Sequence, residues 1–232
     1  MYNDLMPERS FEIRSCNACG LRYPLVKGHP FGARCPACLG STRILLSRML
    51  VTEADPVRSS NLHREEAENG KQKNRGMRVA VLMDNIRSAW NVGSILRSAD
   101  GFGFAHAYLC GITPTPGNQV VRKTSLGAEN SVPWSYHKDA VRLVNGLKVE
   151  GAKVFALEEN TRSRSISQLP HSQFSNHVVV VIGNEVTGVD PDLLDVCDEV
   201  FYISMYGGKQ SFNVAIAFGI AAYALSIQRS ES

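Results

Sequence analysis

The sequence predicts an α/β protein: a parallel sheet covered on both faces, preceded by a small metal-held module. Three observations predict it. Four of the six cysteines fall in two C-x-x-C pairs within the first 38 residues. From Met77 onward, short runs of Val, Ile, Leu and Ala alternate with longer helical stretches. Between them, residues 53–76 are nearly free of apolar side chains and carry no aromatic. The expected organisation is therefore a zinc-ribbon-like module over 1–52, a linker over 53–76 and the α/β domain over 77–232.

The first pairs are Cys16-Asn-Ala-Cys19 and Cys35-Pro-Ala-Cys38, a C-x2-C-x15-C-x2-C spacing. Two residues between thiolates let a tight knuckle aim both sulfurs at one ion, and two knuckles complete a tetrahedron around Zn²⁺. Gly20 and Gly40 offer the permissive backbone that such turns use. Disulfides are disfavoured in a reducing compartment, and no secretory signal precedes the cysteines; a redox-active pair is the remaining alternative. His29 is a fifth candidate ligand, the plainer reading being a surface histidine. Four thiolates close the coordination sphere, so the metal is structural, supplying the folding free energy that a module this small lacks. Ser41–Leu50 is expected to form a short amphipathic helix.

Charge is unevenly placed. Residues 1–78 hold 13 Lys/Arg against 8 Asp/Glu, whereas 79–232 hold 12 against 14. A basic front end on a mildly acidic body suits a nucleic-acid-gripping arm as well as an ordinary solvated linker, with Lys71, Lys73, Arg75 and Arg78 as candidate phosphate contacts. No apolar run approaches the roughly 18 residues a membrane span needs, and the expected location is cytoplasmic.

In the second domain, 77–84, Ala107–Cys110, Lys153–Leu157, Val178–Gly183 and Val200–Ile203 read as buried strands, and Val92–Asp100, Asp139–Val149 and Val214–Gln228 as helices. Strands alternating with helices imply a parallel sheet, whose ligands bind beyond the carboxyl ends of the strands. Neither a dinucleotide G-x-G-x-x-G after the first strand nor a P-loop is present; Gly101-Phe-Gly103 reads as a helix stop. Cys110 and Cys197 lie in apolar contexts and read as inert core thiols.

Three stretches place polar groups at strand ends instead. In Asn91-Val-Gly-Ser-Ile-Leu-Arg97, Asn91 is expected to cap the helix while Ile95, Leu96 and Ala99 face the core; alone, Arg97 would read as a surface or ion-paired arginine. Gly183-Asn-Glu185-Val-Thr-Gly188 follows a strand and reads as a tight loop, the plain alternative being a turn with Glu185 in water. Ile203-Ser-Met205-Tyr-Gly-Gly-Lys-Gln-Ser211-Phe212-Asn213 leads into a helix apolar all round, which must be buried in the core or against a partner subunit.

Together these stretches resemble the three motifs of the SpoU/TrmH branch of the SPOUT RNA methyltransferases, over about Met77–Gln228. Lys123-Thr-Ser-Leu-Gly-Ala-Glu129 with Val132-Pro133 is similar to the segment between the first and second motifs. The resemblance implies a parallel-sheet SPOUT fold with a C-terminal trefoil knot, an exception to the rule against threaded chains. It also implies a homodimer, bound S-adenosylmethionine, and methyl transfer to a ribose 2′-hydroxyl of tRNA or rRNA. Carried over, the catalytic positions are Asn91, Arg97, Glu185 and Asn213, with Ser211 beside them, and the cofactor contacts are Leu157, Gly183, Ile203, Met205 and Phe212. The chain departs from the family pattern at Ser204, where proline is usual, and at Phe212, where leucine is usual. Guanidinium stays protonated, so Arg97 is expected to hold substrate phosphate and stabilise alkoxide charge rather than act as a base. The rival class is a non-catalytic RNA-binding protein that retains the fold.

Overall fold

The computed structural model describes residues 10–29, 32–49, 78–169, 177–209 and 211–230. The chain divides into two compact units, Met1–His63 and Arg64–Ser232. The expected linker, with Lys71, Lys73 and Arg75, lies outside the described residues.

The first unit is a three-stranded antiparallel sheet of β1 (Ser10–Cys16), β2 (Arg22–Val26) and β3 (Thr42–Met49), in the order β2-β1-β3. The helix expected over Ser41–Leu50 is instead this third strand. A ten-residue helix without a packed face is marginal, whereas β3 gains a ladder along β1 from Cys16↔Thr42 to Ser10↔Met49, with an irregularity at Ile13/Arg14. The helix-like apolar spacing in the sequence is the product of that irregularity: it breaks the two-residue alternation that would have announced a strand. Arg14 Nε donates to Thr42 Oγ1 at 2.8 Å across the pair. Phe11, Ile13 and Tyr23 form the small core.

The second unit carries a seven-stranded, wholly parallel sheet. Its strands are β4 (Arg78–Asp84), β5 (His106–Cys110), β6 (Trp134–His137), β7 (Lys153–Leu157), β8 (Arg164–Ser165), β9 (His177–Ile182) and β10 (Glu199–Tyr202). Their spatial order is β6-β5-β4-β9-β7-β10-β8. The helices are α1 (Ala89–Gly101), α2 (Gln119–Ser125), α3 (Ala128–Ser131), α4 (Ala140–Val149), α5 (Pro191–Val196) and α6 (Val214–Ser230). All five expected strands and all three expected helices are present.

Central strands β4 and β9 are buried on both faces, which is why they read as unbroken apolar runs. One face puts Val79, Val81, Met83, Val178, Val180 and Ile182 against Ile95, Leu96 and Ala99 of α1 and Phe218 and Leu225 of α6. The other puts Ala80, Leu82, Val179 and Val181 against Val144 and Leu147 of α4 and Leu193 of α5. Helix α1 packs on α2 at Gly93, where a Cβ would lie 1.8 Å from Thr124 Oγ1 and 2.7 Å from the Val121 carbonyl oxygen. It ends as expected, with the Phe102 N–H bonded to the Ser98 carbonyl.

Candidate active site

Strands β9, β7 and β10 are neighbours, and Leu157 is in register with Ile182 on one side and Phe201 on the other. The loops beginning at Gly183, Glu158 and Ile203 therefore leave one edge of the sheet side by side, each about 5 Å from the next. This is the carboxyl edge at which parallel sheets bind ligands. Ile203 and Met205 are half-buried, and Phe212 is 40% exposed.

The loop after β9 is a tight turn. Asn184 N–H donates to the Gly188 carbonyl at 3.1 Å and Gly188 N–H to the Asn184 carbonyl at 2.9 Å, with Gly188 at φ +71°. Asn184 is buried; its Oδ1 accepts the N–H groups of Val186 and Thr187, and its Nδ2 donates to the Asn85 carbonyl at 2.7 Å. Gly183 is fixed by its neighbours' backbone, because a Cβ there would lie 2.2 Å from Val189 N and 2.4 Å from the Gly188 carbonyl carbon. Buried Asp84, at the end of β4, accepts from Asp190 N–H at 3.0 Å and from Asn85 Nδ2 at 2.8 Å, closing the base of the turn.

The turn presents Glu185 to the start of α1. One carboxylate oxygen accepts Arg87 N–H at 2.8 Å; the other accepts Ser88 N–H at 3.0 Å and Asn91 Nδ2 at 2.9 Å. Partial burial acts to raise the Glu185 pKa, but these donors, led by Arg87 N–H, outweigh it and hold the carboxyl below its ordinary value. Asn91 is not the helix cap expected from the sequence. The helix begins three residues earlier, Ser88 caps it by accepting Asn91 N–H, and Asn91 thereby has its carboxamide free for another task. Its Oδ1 accepts from Asn213 Nδ2 at 3.1 Å. Asn213 in turn caps α6, its Oδ1 accepting Ala215 N–H at 2.9 Å. Asn213, Asn91 and Glu185, drawn from three separate stretches, thus form one continuous hydrogen-bonded chain. Arg97 lies on the exposed side of α1 and Ser211 is exposed before α6; neither side chain has a hydrogen bond or ion pair among the described residues.

A family model described as the SpoU rRNA Methylase family matches residues 78–223. The chain belongs to the SpoU rRNA methylase family. It is similar to the Bacillus subtilis (strain 168) 23S rRNA (guanosine(2553)-2′-O)-methyltransferase RlmP, with 31% identity over 150 residues, 64% of this chain and 58% of that one. It is also similar to the Aquifex aeolicus tRNA (guanosine(18)-2′-O)-methyltransferase, with 26% identity over 153 residues, 66% of this chain and 71% of that one. The chain therefore spans less than two thirds of RlmP. Among solved structures, the A. aeolicus TrmH/SpoU tRNA modifying enzyme superposes with a TM-score of 0.60 at 26% identity, covering 68% of this chain and 79% of that one. The SpoU methyltransferase AviRb from Streptomyces viridochromogenes, in complex with AdoMet, shares the fold with a TM-score of 0.62 at 23% identity, covering 68% and 63% of the two chains.

In this SpoU-family domain a small apolar cavity lies in the core against β7, β9 and β10, lined by Phe155, Leu157, Ile166, Leu169, Phe201 and Leu225 among others. Leu157 lines it; Gly183, Ile203, Met205 and Phe212 do not. Sequence reasoning missed Asp84, Asn85, Asn184 and Glu158. Their signal was available, since each is a polar residue at or just past the carboxyl end of an apolar strand. Cys110 is wholly buried, which pushes its thiol well up, and burial likewise raises Cys197 to about 12, as expected of unreactive thiols.

The cysteines of the first unit converge. The four Sγ atoms of Cys16, Cys19, Cys35 and Cys38 all lie within 4.8 Å of one another, with Cys16–Cys38 at 3.5 Å and Cys19–Cys35 at 3.7 Å. Tetrahedral Zn–S bonds of about 2.3 Å require S···S separations near 3.8 Å, so this donor set fits Zn²⁺. The two knuckles are built alike: Gly20 N–H donates to the Cys16 carbonyl and Leu39 N–H to the Cys35 carbonyl, with Gly20 at φ +72° and Leu39 at φ 60°. In the second knuckle Leu39, not Gly40, takes the left-handed position; Gly40 matters because a Cβ there would crowd Ala18 at 3.1 Å and Cys38 Sγ at 3.3 Å. His29 is exposed and outside the cluster.

Proposed function

We propose that this chain is an S-adenosylmethionine-dependent methyltransferase acting on a ribose 2′-hydroxyl of tRNA or rRNA. The observation that carries the reading is the Asn213–Asn91–Glu185 chain, which gathers all three motifs at the carboxyl edge of the sheet. Family membership supports it, as do two relatives named as guanosine 2′-O-methyltransferases.

The cofactor reading rests on Leu157, Gly183, Ile203, Met205 and Phe212. They follow three adjacent strand ends and offer apolar side chains and main-chain groups, a lining suited to an adenine ring and a methionine chain. When bound, S-adenosylmethionine supplies an electrophilic methyl group on a sulfonium sulfur. The chain's own residues must then align the ribose oxygen and relieve its charge. Arg97, permanently cationic, holds a substrate phosphate and stabilises negative charge developing on the 2′-oxygen; a phosphate or water takes the proton. Asn91 has both ends of its carboxamide engaged and so fixes α1, and with it Arg97. Glu185 is ionised at neutral pH and accepts three donors, which makes it a brace and not a proton donor.

The remaining features fit the same assignment. Strand β10 lies between β7 and β8, both earlier in the chain, an order compatible with a C-terminal trefoil knot. Helices α1 and α6 leave Trp90, Ile216 and Tyr223 more than half exposed, an apolar surface that suits a homodimer. The four cysteines would hold a structural Zn²⁺, and the basic first unit would serve as an RNA arm, raising the local concentration of substrate. No described helix is long and apolar enough to cross a membrane, and we place the protein with its RNA in the cytoplasm. Two measurements test the reading: calorimetric titration with S-adenosylhomocysteine, and mass spectrometry of nuclease-digested RNA from cells with and without the protein. The expected results are heat of binding and the loss of one 2′-O-methyl nucleotide. No heat, together with an unchanged nucleotide profile, would replace the enzyme with a non-catalytic RNA-binding protein.

A further inference from the structure

We infer that Glu158 is a positioning residue that sets the spacing of the loops between which the cofactor is held, an inference that rests on the methyltransferase reading above. Glu158 directly follows Leu157 at the end of β7, and its contacts reach strand β10, its own loop and the loop that follows β9. Its N–H donates to the Phe201 carbonyl at 2.9 Å, tying it to β10. One carboxylate oxygen, Oε1, accepts Glu159 N–H at 3.1 Å in its own loop. The other, Oε2, accepts Val189 N–H at 3.0 Å on the returning limb of the 184–188 turn.

Two glycines surround that last contact. A Cβ on Gly188 would lie 2.4 Å from Glu158 Oε2, so the carboxylate occupies the space that the missing side chain leaves. A Cβ on Gly183 would lie 2.2 Å from Val189 N, the same atom that Glu158 holds. The sheet ladder fixes Leu157 beside Ile182; what Glu158 governs is where the returning limb of the 184–188 turn sits over the end of β7, through its hold on Val189. A carboxylate suits this place because both partners are main-chain donors and each oxygen only accepts. Glutamine keeps the shape but turns an NH₂ toward one of the two N–H groups, so it can satisfy one side only.

The test is calorimetric titration of S-adenosylhomocysteine into the full-length protein and its E158A and E158Q variants, with hydrogen exchange of the Val189 amide followed in parallel. Loss of a charge-assisted hydrogen bond predicts about a tenfold to hundredfold weaker affinity for E158A. E158Q should fall between E158A and the parent, and Val189 exchange should quicken in both variants more than exchange in β4 and β9. A variant effect on overall stability alone would quicken all of these amides together, which would overturn the inference. E158A binding as tightly as the parent would overturn it while leaving the methyltransferase reading intact; a parent protein that gives no heat would overturn both. Should E158A fail to fold, E158Q decides, and parental affinity in E158Q refutes the assignment.

Discussion

Replacing Glu185 with glutamine puts a donor into a site made of donors. In the parent, both carboxylate oxygens are used: one by Arg87 N–H, the other by Ser88 N–H and Asn91 Nδ2. Glutamine can keep the pair at one position only by facing its NH₂ toward Arg87 N–H, so one bond is lost and a repulsive contact is gained. A hydrogen bond to a charged group contributes roughly 1.5–3 kcal/mol net. Because the site is open to solvent on one side, water recovers part of this, leaving a cost of about 1–1.5 kcal/mol. In a domain of this size that lowers Tm by about 2–6 °C. The effect must depend on pH. The folded-state pKa of Glu185 lies below its unfolded value, so its contribution is fully present above the unfolded pKa, near 4.3, and is lost as pH falls through the lower folded pKa. Urea unfolding of parent and E185Q from about pH 7 down to about pH 3.5 should therefore show a gap that is widest at neutral pH and closes in acid. A gap that stays constant across that range, or E185Q as stable as the parent at pH 7, would refute the bracing role.

Arg97→Ala should abolish methyl transfer while S-adenosylhomocysteine affinity, read by calorimetry, stays near the parent value; a collapse of cofactor affinity would show that Arg97 serves a different purpose. Gly183→Ala forces a Cβ against backbone atoms at 2.2 and 2.4 Å and should destabilise the domain by about 1–3 kcal/mol or more in urea unfolding. Gly146→Ala, with nothing within 4 Å in the middle of α4, should instead stabilise it by about 0.5–1 kcal/mol. Elemental analysis should find one zinc per chain, and a strong chelator or Cys38→Ser should remove it and unfold the first unit while the second still melts cooperatively; a first unit that stays folded after complete metal removal would argue against a structural ion.

The parts of this protein legible in its sequence are those written in local patterns. Val178 to Ile182 announces a strand buried on both faces, and the paired cysteines announce a four-thiol cluster, because in each case the signal sits within a few residues. Asn91 shows where local reading stops. Its residue type suits a cap, but Ser88 three positions earlier suits one equally, and only the actual start of α1 decides between them. Ser41–Leu50 reads as helical because the irregularity opposite Ile13/Arg14 disturbs its alternation, and a partner strand some thirty residues away outweighs weak local preference. Glu158 and Asp84 show the same limit: the local signal is only a polar residue at the end of an apolar strand, while the N–H groups that give them their roles lie more than thirty and more than a hundred residues distant.

The bond from Asn213 to Asn91 joins residues 122 positions apart, and Glu185 lies 94 positions from Asn91. Such long closures are slow to form and come after the strands on either side have docked. During synthesis Asn91 and Glu185 leave the ribosome before Asn213, so a partly made chain cannot present the assembled Asn213–Asn91–Glu185 network. The three-residue network then arrives only with completed folding of the domain.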